Sequence, residues 1–413
     1  MTTTPMMCRH CGSLTGNSFI DLGTSPPSNA YLGEAQLDGF ESSFPLQVFV
    51  CSDCRLVQTQ DFTDAEELFS ADYAYFSGFS ETWVAHCRRY ASDVTQRFSL
   101  GERSFVVEVA SNDGTLLDCF KRQGIPCLGI EPTASTASAA RLLGLDVREE
   151  FLTSATAEVL RSEGAAADLV VANNVVAHVP DIDDFVNGCR ILLGPRGVLT
   201  LEFPHLVRMV EGSQFDTIYH EHFSYLTLTV LDRIATACGL SLFDVEEIPT
   251  HGGSLRAFLQ PILTAERGVS EDVSRVMGDE NEAGVDTDEF YEGFQQVAET
   301  IRDEFVAFLD DAKNDGRSVV GYGAAAKGNT LLNFAGVDAD LLAYVVDRNP
   351  AKQGMYLPGS RIPIVTEEKI HQDRPAHVLI LPWNIRDELM ERLDYVRAWG
   401  TTFVTAIPGI EIR

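Results

Sequence analysis

Residues 105–131 read FVVEVASNDGTLLDCFKRQGIPCLGIE, and this stretch decides the fold. An apolar run at 105–110 has the composition of a buried strand. Small residues then make a turn around Gly114, 114–123 continues as a helix, and 127–131 is a second strand. Strand, turn, helix, strand is the repeating unit of a parallel sheet covered by helices on both faces. The unit recurs outward from here. Helices are predicted at 80–98 and 134–143, and further strands at 168–173 and 197–203. Composition changes near Pro249, and 264–315 is polar, acidic and helical in pattern. A second series follows, with strands at 318–322, 342–347, 378–381 and 403–406 and a helix starting over 327–334. The expected fold is therefore α/β. It comprises a small N-terminal module (1–70), a central Rossmann-like domain (71–248) and a second, C-terminal Rossmann-like domain (249–413).

The length of 413 residues suits two to four domains at roughly 100–200 residues each. A hydrophobic share of 45% with 22% charged residues is ordinary for a globular chain and excludes general disorder. The 31 Lys and Arg against 61 Asp and Glu leave a net charge of −30. Such a surface repels phosphate backbones and anionic lipid, which argues against nucleic-acid and membrane partners. A small anion can still be held where a local pocket opposes that field. No apolar run approaches the roughly 18 residues of a membrane span. The first residues, MTTTPMM, lack the features of a signal peptide, so a cytoplasmic location is expected. A monomer or weak dimer is expected.

Four of the nine cysteines form two pairs, Cys8-Arg-His-Cys11 and Cys51-Ser-Asp-Cys54. Two-residue spacing lets both thiolates of a pair reach one tetrahedral ion at about 2.3 Å, so the four predict a structural zinc. A redox role is the weaker reading, since such motifs do not usually come twice. The 39 residues between the pairs leave room for a small sheet. Cys87, Cys119, Cys127, Cys189 and Cys238 are scattered and read as small apolar residues.

Two glycine turns invite different ligands. In the first, Glu108 ends a strand, Ala110, Asn112, Asp113 and Gly114 make the turn, and Glu131 lies 23 residues after Glu108. A carboxylate at that place can accept both ribose hydroxyls of a nucleoside. The turn lacks G-x-G-x-x-G, and Asp113 would repel a phosphate, so a nucleoside bearing an amino acid suits it: S-adenosylmethionine. The second turn, Gly321-Tyr-Gly-Ala-Ala-Ala326, does match G-x-G-x-x-A, with Asp347 ending the next strand. It suits either a dinucleotide or the diphosphate of a nucleotide sugar, with Lys327 as a point charge.

The densest polar cluster is QFDTIYHEHFSY at 214–225, just after LEFPH at 201–205. If it is helical, Tyr219 and His222 share a face; if extended, His220 and His222 share one and Tyr219 and Glu221 the other. An imidazole here suits proton removal beside a carbonyl. A neighbouring carboxylate would set its tautomer, and a phenol would donate to the enolate. A His-Glu-His metal site is disfavoured, because adjacent residues chelate poorly. DYAYFSG at 72–78, THGGS at 250–254 and His178 in NNVVAH supply further candidates.

Together these segments resemble the sugar C-methyltransferases of deoxysugar biosynthesis, which install branch methyls on TDP-4-keto-deoxysugars. The resemblance runs the full length. Its specific pieces include CRHCG (8–12), DYAYFSG (72–78), EVASNDG (108–114), GIEP (129–132), NNVVAHVPDIDDF (173–185) and LEFPH (201–205). QFDTIYHEHFSY, PTHGGSLR (249–256), GYGAAAKGNTLLN (321–333), VVDRNPAKQG (345–354) and ILPWN (380–384) complete it. It implies zinc on Cys8, Cys11, Cys51 and Cys54, and S-adenosylmethionine held by the first glycine turn together with Glu131, Asn173, Asn174 and His178. It implies a C-terminal domain that clamps the nucleotide sugar. The catalytic base then matches His222, with Glu221 and Tyr219 as partners, and Tyr75 matches an active-site tyrosine, although Tyr73 is close enough to take that place. Substrate contacts are expected from Tyr73, Phe76 and Ser77, from His178 and His220, and from His251 and Gly252. Tyr322, Lys327, Asn329 and Arg348 are expected around the second turn. C-3 is the more frequent position of methylation in such enzymes. The competing readings are a nicotinamide-dependent sugar-nucleotide oxidoreductase and a non-catalytic sugar-nucleotide binding protein.

Overall fold

A computed structural model describes residues 6–62 and 76–413. Three sheets carry the fold. The first is antiparallel, with order Thr15–Ser25, Phe44–Cys51, Val57–Thr59 and Ser224–Tyr225. Its last strand comes from the 214–225 segment, so the cysteine module and the central domain share a sheet.

The second sheet has seven strands. Their order is Leu240–Ile248, Ser254–Pro261, Leu193–Pro204, Ala167–Asn173, Val106–Val109, Cys127–Ile130 and Val147–Arg148. The last five are parallel, as the strand–turn–helix units require, and an antiparallel hairpin completes one edge. The division at 248/249 falls inside this sheet. Ser254–Pro261 pairs with both Leu240–Ile248 and Leu193–Pro204, because the hairpin returns across the THGG turn before the chain leaves the domain.

The third sheet runs Ile364–Val365, Val345–Val346, Val319–Tyr322, His377–Ile380, Thr402–Thr405 and Glu411–Ile412, parallel except for its last pair. The polar stretch at 264–315 becomes two helices, Glu271–Ala283 and Phe294–Asn314. Gly284 ends the first at φ +88°, a conformation that costs glycine little. The second buries Phe294, Ala298, Ile301, Phe305, Leu309 and Ala312 at helical spacing. Phe294 stacks on Phe19 of the first sheet at 4.8 Å.

The cores are shared. Cys8, Cys51, Cys54 and Leu56 lie in one buried cluster with Val107, Leu128 and Phe203 of the central sheet. Phe19 and Val48 lie in another with Phe215, Ile218, Leu331 and Leu379. Each such side chain contributes roughly 1.5–3 kcal/mol on burial. The three parts therefore meet through apolar packing, and the space between them is fixed.

Candidate active site

The four paired cysteines converge. All four sulfurs lie within 4.8 Å of one another, with Cys8 to Cys54 at 3.5 Å and Cys11 to Cys51 at 3.4 Å. A tetrahedron with zinc–sulfur bonds of about 2.3 Å has edges near 3.8 Å, so the set fits one zinc and leaves no open position. Each pair closes on a turn that returns to its first cysteine, Gly12 N–H to Cys8 and Arg55 N–H to Cys51, both at 3.0 Å. His10 is no ligand here: its Nδ1 meets Asp183 at 2.7 Å and ties the module to the central domain. None of the four cysteines lines the cavity described next.

A cavity of about 400 Å³ opens where the carboxyl ends of both Rossmann sheets face each other. At one end Ala110 and Asn112 turn through left-handed conformations, φ +52° and +50°. Asn112 N–H donates to Glu131 Oε2 at 2.9 Å, and Thr133 N–H and Thr136 Oγ1 both donate to Oε1 at 3.0 Å. Those bonds hold the carboxylate rigidly and leave Oε2, which takes a single donor, open to a further one. Asn173 and Asn174 line the cavity, and among the described residues both polar atoms of the Asn173 amide and Oδ1 of Asn174 are buried without a partner. Buried polar atoms of this kind call for a polar ligand. Ile130, Phe151, Leu152 and Phe185 give an apolar slot beside Glu150. Slot and orphaned amides together fit a nucleoside bearing an amino acid.

Three turn residues serve the turn rather than the cavity. Glu108 is buried beneath it, and its carboxyl is pushed well above the usual range, first by burial and then by Asp113 and Glu131. Asp113 accepts from Gly78 N–H at 2.8 Å and Thr115 Oγ1 at 2.6 Å, which ties the turn to the segment at 77–79 and to the start of the next helix. A Cβ on Gly114 would meet Leu145 at 2.3 Å.

In the middle of the cavity the 214–225 segment makes a tight turn, with His222 N–H on the Tyr219 carbonyl at 2.9 Å. That brings Tyr219 and His222 together, as helical spacing would, before the chain extends into the first sheet. His222 Nδ1 lies 2.7 Å from the Thr217 carbonyl, so it carries the proton and Nε2 is the basic nitrogen. Tyr219 Oη donates to Nε2 at 2.7 Å. The tautomer is thus set by a backbone carbonyl, not by the carboxylate expected. Glu221 turns the other way, and its Oε1 accepts from Asn29. Burial, followed by the nearby His178, drives the His222 pKa well below its ordinary value and keeps the ring neutral. His178 packs edge-on at 4.5 Å, with its Nδ1 2.8 Å from the Glu221 carbonyl and its pKa lowered by burial to about 4. His220 faces the cysteine module, with Nε2 3.2 Å from the Phe44 carbonyl.

The far end belongs to the C-terminal domain. Lys327 opens the Ala326–Ala335 helix and lies 3.3 Å from Asn384 Oδ1, 3.4 Å from the His251 carbonyl and 4.5 Å from the Trp383 ring. Burial lowers its pKa to about 8, against the opposing pull of Asp216. His251 and Ser77 also line the cavity. Several expected contacts do not. Tyr322 is taken up by Glu367 and Arg392, Asn329 donates to the Ser28 carbonyl at 2.6 Å, and Arg348 is exposed. Phe76 does not line the cavity, and a Cβ on Gly252 would run into Trp383. Tyr73 and Tyr75 fall outside the described residues. The Asp347 carboxylate accepts Ala324 N–H of the second glycine turn and Asn349 N–H of its own turn, both at 2.8 Å, and does not line the cavity. Asn29, Trp83, Lys352, Asn384 and the 150–152 slot were missed. Only their place after a loop or at a strand's carboxyl end could have marked them.

Three family profiles match the chain: "Putative zinc binding domain" at 8–69, "Methyltransferase domain" at 83–245 and "C-methyltransferase C-terminal domain" at 249–408. C-methyltransferase NovU of Streptomyces niveus is 32% identical over 401 residues, 97% of this chain and 95% of that one. A ubiquinone biosynthesis O-methyltransferase of Chelativorans sp. is 30% identical over 100 residues, 23% of this chain and 38% of its own length. Among solved structures, magnesium protoporphyrin IX methyltransferase of Synechocystis PCC 6803 overlays with a TM-score of 0.36 at 14% identity. That overlay covers 49% of this chain and 100% of the other.

Proposed function

Because the chain belongs to the S-adenosylmethionine-dependent C-methyltransferase family, we propose that it methylates C-3 of a TDP-4-keto-deoxysugar through an enolate. S-adenosylmethionine, when bound, supplies the electrophilic methyl group. The chain's own residues do the rest. The Ala110–Asn112 turn, Glu131, Asn173 and Asn174 hold the donor at one end of the cavity. Lys327 and the helix it opens hold the diphosphate at the other, a local positive point in a chain of net charge −30.

Between them, His222 Nε2 takes the proton from the carbon beside the 4-keto group. The Tyr219 hydroxyl, displaced from Nε2, then donates to the enolate oxygen. A base of this kind contributes about 10²–10⁴-fold, and one donor on the oxyanion about 3 kcal/mol. Burial keeps the imidazole neutral, so Nε2 starts without a proton, and the substrate must supply the interactions that stabilise the imidazolium as it forms.

One observation carries the reading: the Tyr219–His222 pair lines the same cavity as the Ala110–Glu131 turn and Lys327. Incubation with methyl-labelled S-adenosylmethionine and a panel of TDP-4-keto-deoxysugars, followed by product NMR, tests it. A new methyl on ring carbon is expected; a methyl on oxygen or nitrogen would overturn it. Among the described residues no helix is long and apolar enough to cross a membrane, and we place the reaction in the cytoplasm, where nucleotide sugars are made.

A further inference from the structure

The loop at 26–32 reaches from the cysteine module to the cavity and is strapped down along its length. Leu32 and Tyr356 exchange backbone hydrogen bonds at 3.0 and 2.8 Å. The Tyr31 hydroxyl donates to the Ala324 carbonyl at 2.6 Å, and Asn329 Nδ2 holds the Ser28 carbonyl. At the tip, Asn29 donates twice to one oxygen of Glu221, from its backbone N–H at 3.2 Å and from Nδ2 at 3.1 Å. Glu221 is only 1% exposed and lies outside the cavity wall, whereas Asn29 forms part of it.

Those two bonds fix the orientation of the Asn29 amide. An oxygen that already accepts a backbone N–H at this site takes a second donor, not a second acceptor, so the amide nitrogen faces Glu221 and Oδ1 faces away. Among the described residues Oδ1 meets no donor. We propose that Asn29 is a specificity-determining residue whose Oδ1 accepts a hydrogen bond from a hydroxyl or amino substituent on the sugar ring. Glu221 is its positioning residue and acts through it. This rests on the keto-sugar reading above and adds to it a contact from the metal-binding module.

The sugar is the fitting partner because of where the strap is fastened. Tyr31 is tied to Ala324, next to Ala325 and Lys327 at the diphosphate end, while the donor end is built from 110–133 and 150–152. A preset acceptor discriminates well. A ring lacking the matching donor leaves it unpaired, which costs more than the bond itself gains.

The test is calorimetric titration of the full chain, saturated with S-adenosylhomocysteine, using TDP-4-keto-6-deoxyglucose and, separately, TDP. Asn29→Ala removes no backbone bond from the strap. It is expected to weaken the sugar nucleotide roughly tenfold and to leave TDP unchanged. Glu221→Ala is expected to behave alike, with the double variant no weaker than either single one. Equal weakening of TDP, or wild-type affinity for both ligands in Asn29→Ala, would overturn the inference. Additive losses in the double variant would overturn the role of Glu221. If the wild-type chain binds neither ligand, the substrate reading fails first; if it binds both and Asn29→Ala changes nothing, this inference fails alone.

Discussion

Replacing His222 by Ala removes one imidazole and leaves its setting in place. Thr217 and Tyr219 keep their backbone positions, and the donor end of the cavity does not touch the ring. The structure indicates how much should be lost. Nδ1–H is committed to the Thr217 carbonyl at 2.7 Å, so the ring has one basic atom, and burial keeps it neutral well below pH 6.5. The full share of a positioned base, about 10²–10⁴-fold, is therefore at stake, or about 3–5 kcal/mol of barrier at 1.36 kcal/mol per decade. Among the described residues His178 is the imidazole packed against it, and its Nδ1 is committed to the Glu221 carbonyl at 2.8 Å. Tyr219→Phe removes the donor to the enolate oxygen, worth about 3 kcal/mol, and should slow the step by about 10²-fold. The assay is loss of the proton beside the keto group of TDP-4-keto-6-deoxyglucose in deuterated water, followed by NMR with S-adenosylhomocysteine bound. His222→Ala should cut exchange by at least about 10²-fold with S-adenosylhomocysteine affinity unchanged. Exchange within about threefold of wild type, or a larger loss in His178→Ala, would refute the assignment.

Lys327 provides a pH test. Burial lowers its pKa from 10.5 to about 8, so between those values the unfolded chain holds a proton that the folded chain has released. The resulting instability is present below pH 8 and is relieved as pH rises toward 10.5. Lys327→Met should accordingly melt higher than wild type at pH 7, with the gap closing near pH 10, while its affinity for TDP falls. Wild-type affinity for TDP should drop as pH rises through about 8; a flat titration would remove Lys327 from the diphosphate. Glu280 is fully buried and accepts from His205 Nε2 at 2.9 Å, from Leu228 N–H at 2.5 Å, and from Thr229 N–H and Oγ1 at 2.9 and 2.6 Å. Glu280→Ala should cost about 3–5 kcal/mol and lower the melting temperature by several degrees or more; an unchanged melting curve would contradict it. Metal analysis should find one zinc per chain, and Cys51→Ser should lose it together with several degrees of thermal stability.

Much of the fold was legible because its signals are local. The strands at 105–110 and 168–173 reappear as Val106–Val109 and Ala167–Asn173, since a short apolar run rich in valine and bounded by polar turn residues has few other solutions. The paired cysteines were legible for the same reason, as each pair is its own chelate. The strand at 342–347 shrank to Val345–Val346, because only these two residues of the run pair with a strand on each side. The hairpin after Pro249 falls in the C-terminal part by composition and by family profile, yet its strands pair with the central sheet, because a change of composition marks where a helix begins and not which sheet a strand joins.

By itself the sequence determined most of the elements, the paired cysteines that converge and the segments that meet at the cavity. The pairing of Tyr219 with His222, the turning of Glu221 toward Asn29, and the diversion of Tyr322 and Asn329 from the cavity were decided only in three dimensions. Asn29 and Glu221 are 192 residues apart, and Asn329 and Ser28 are 301 apart. No periodicity encodes a hydrogen bond across such a separation. Shared cores bring those residues within reach, and once they are buried each donor must find whichever acceptor packing has placed beside it.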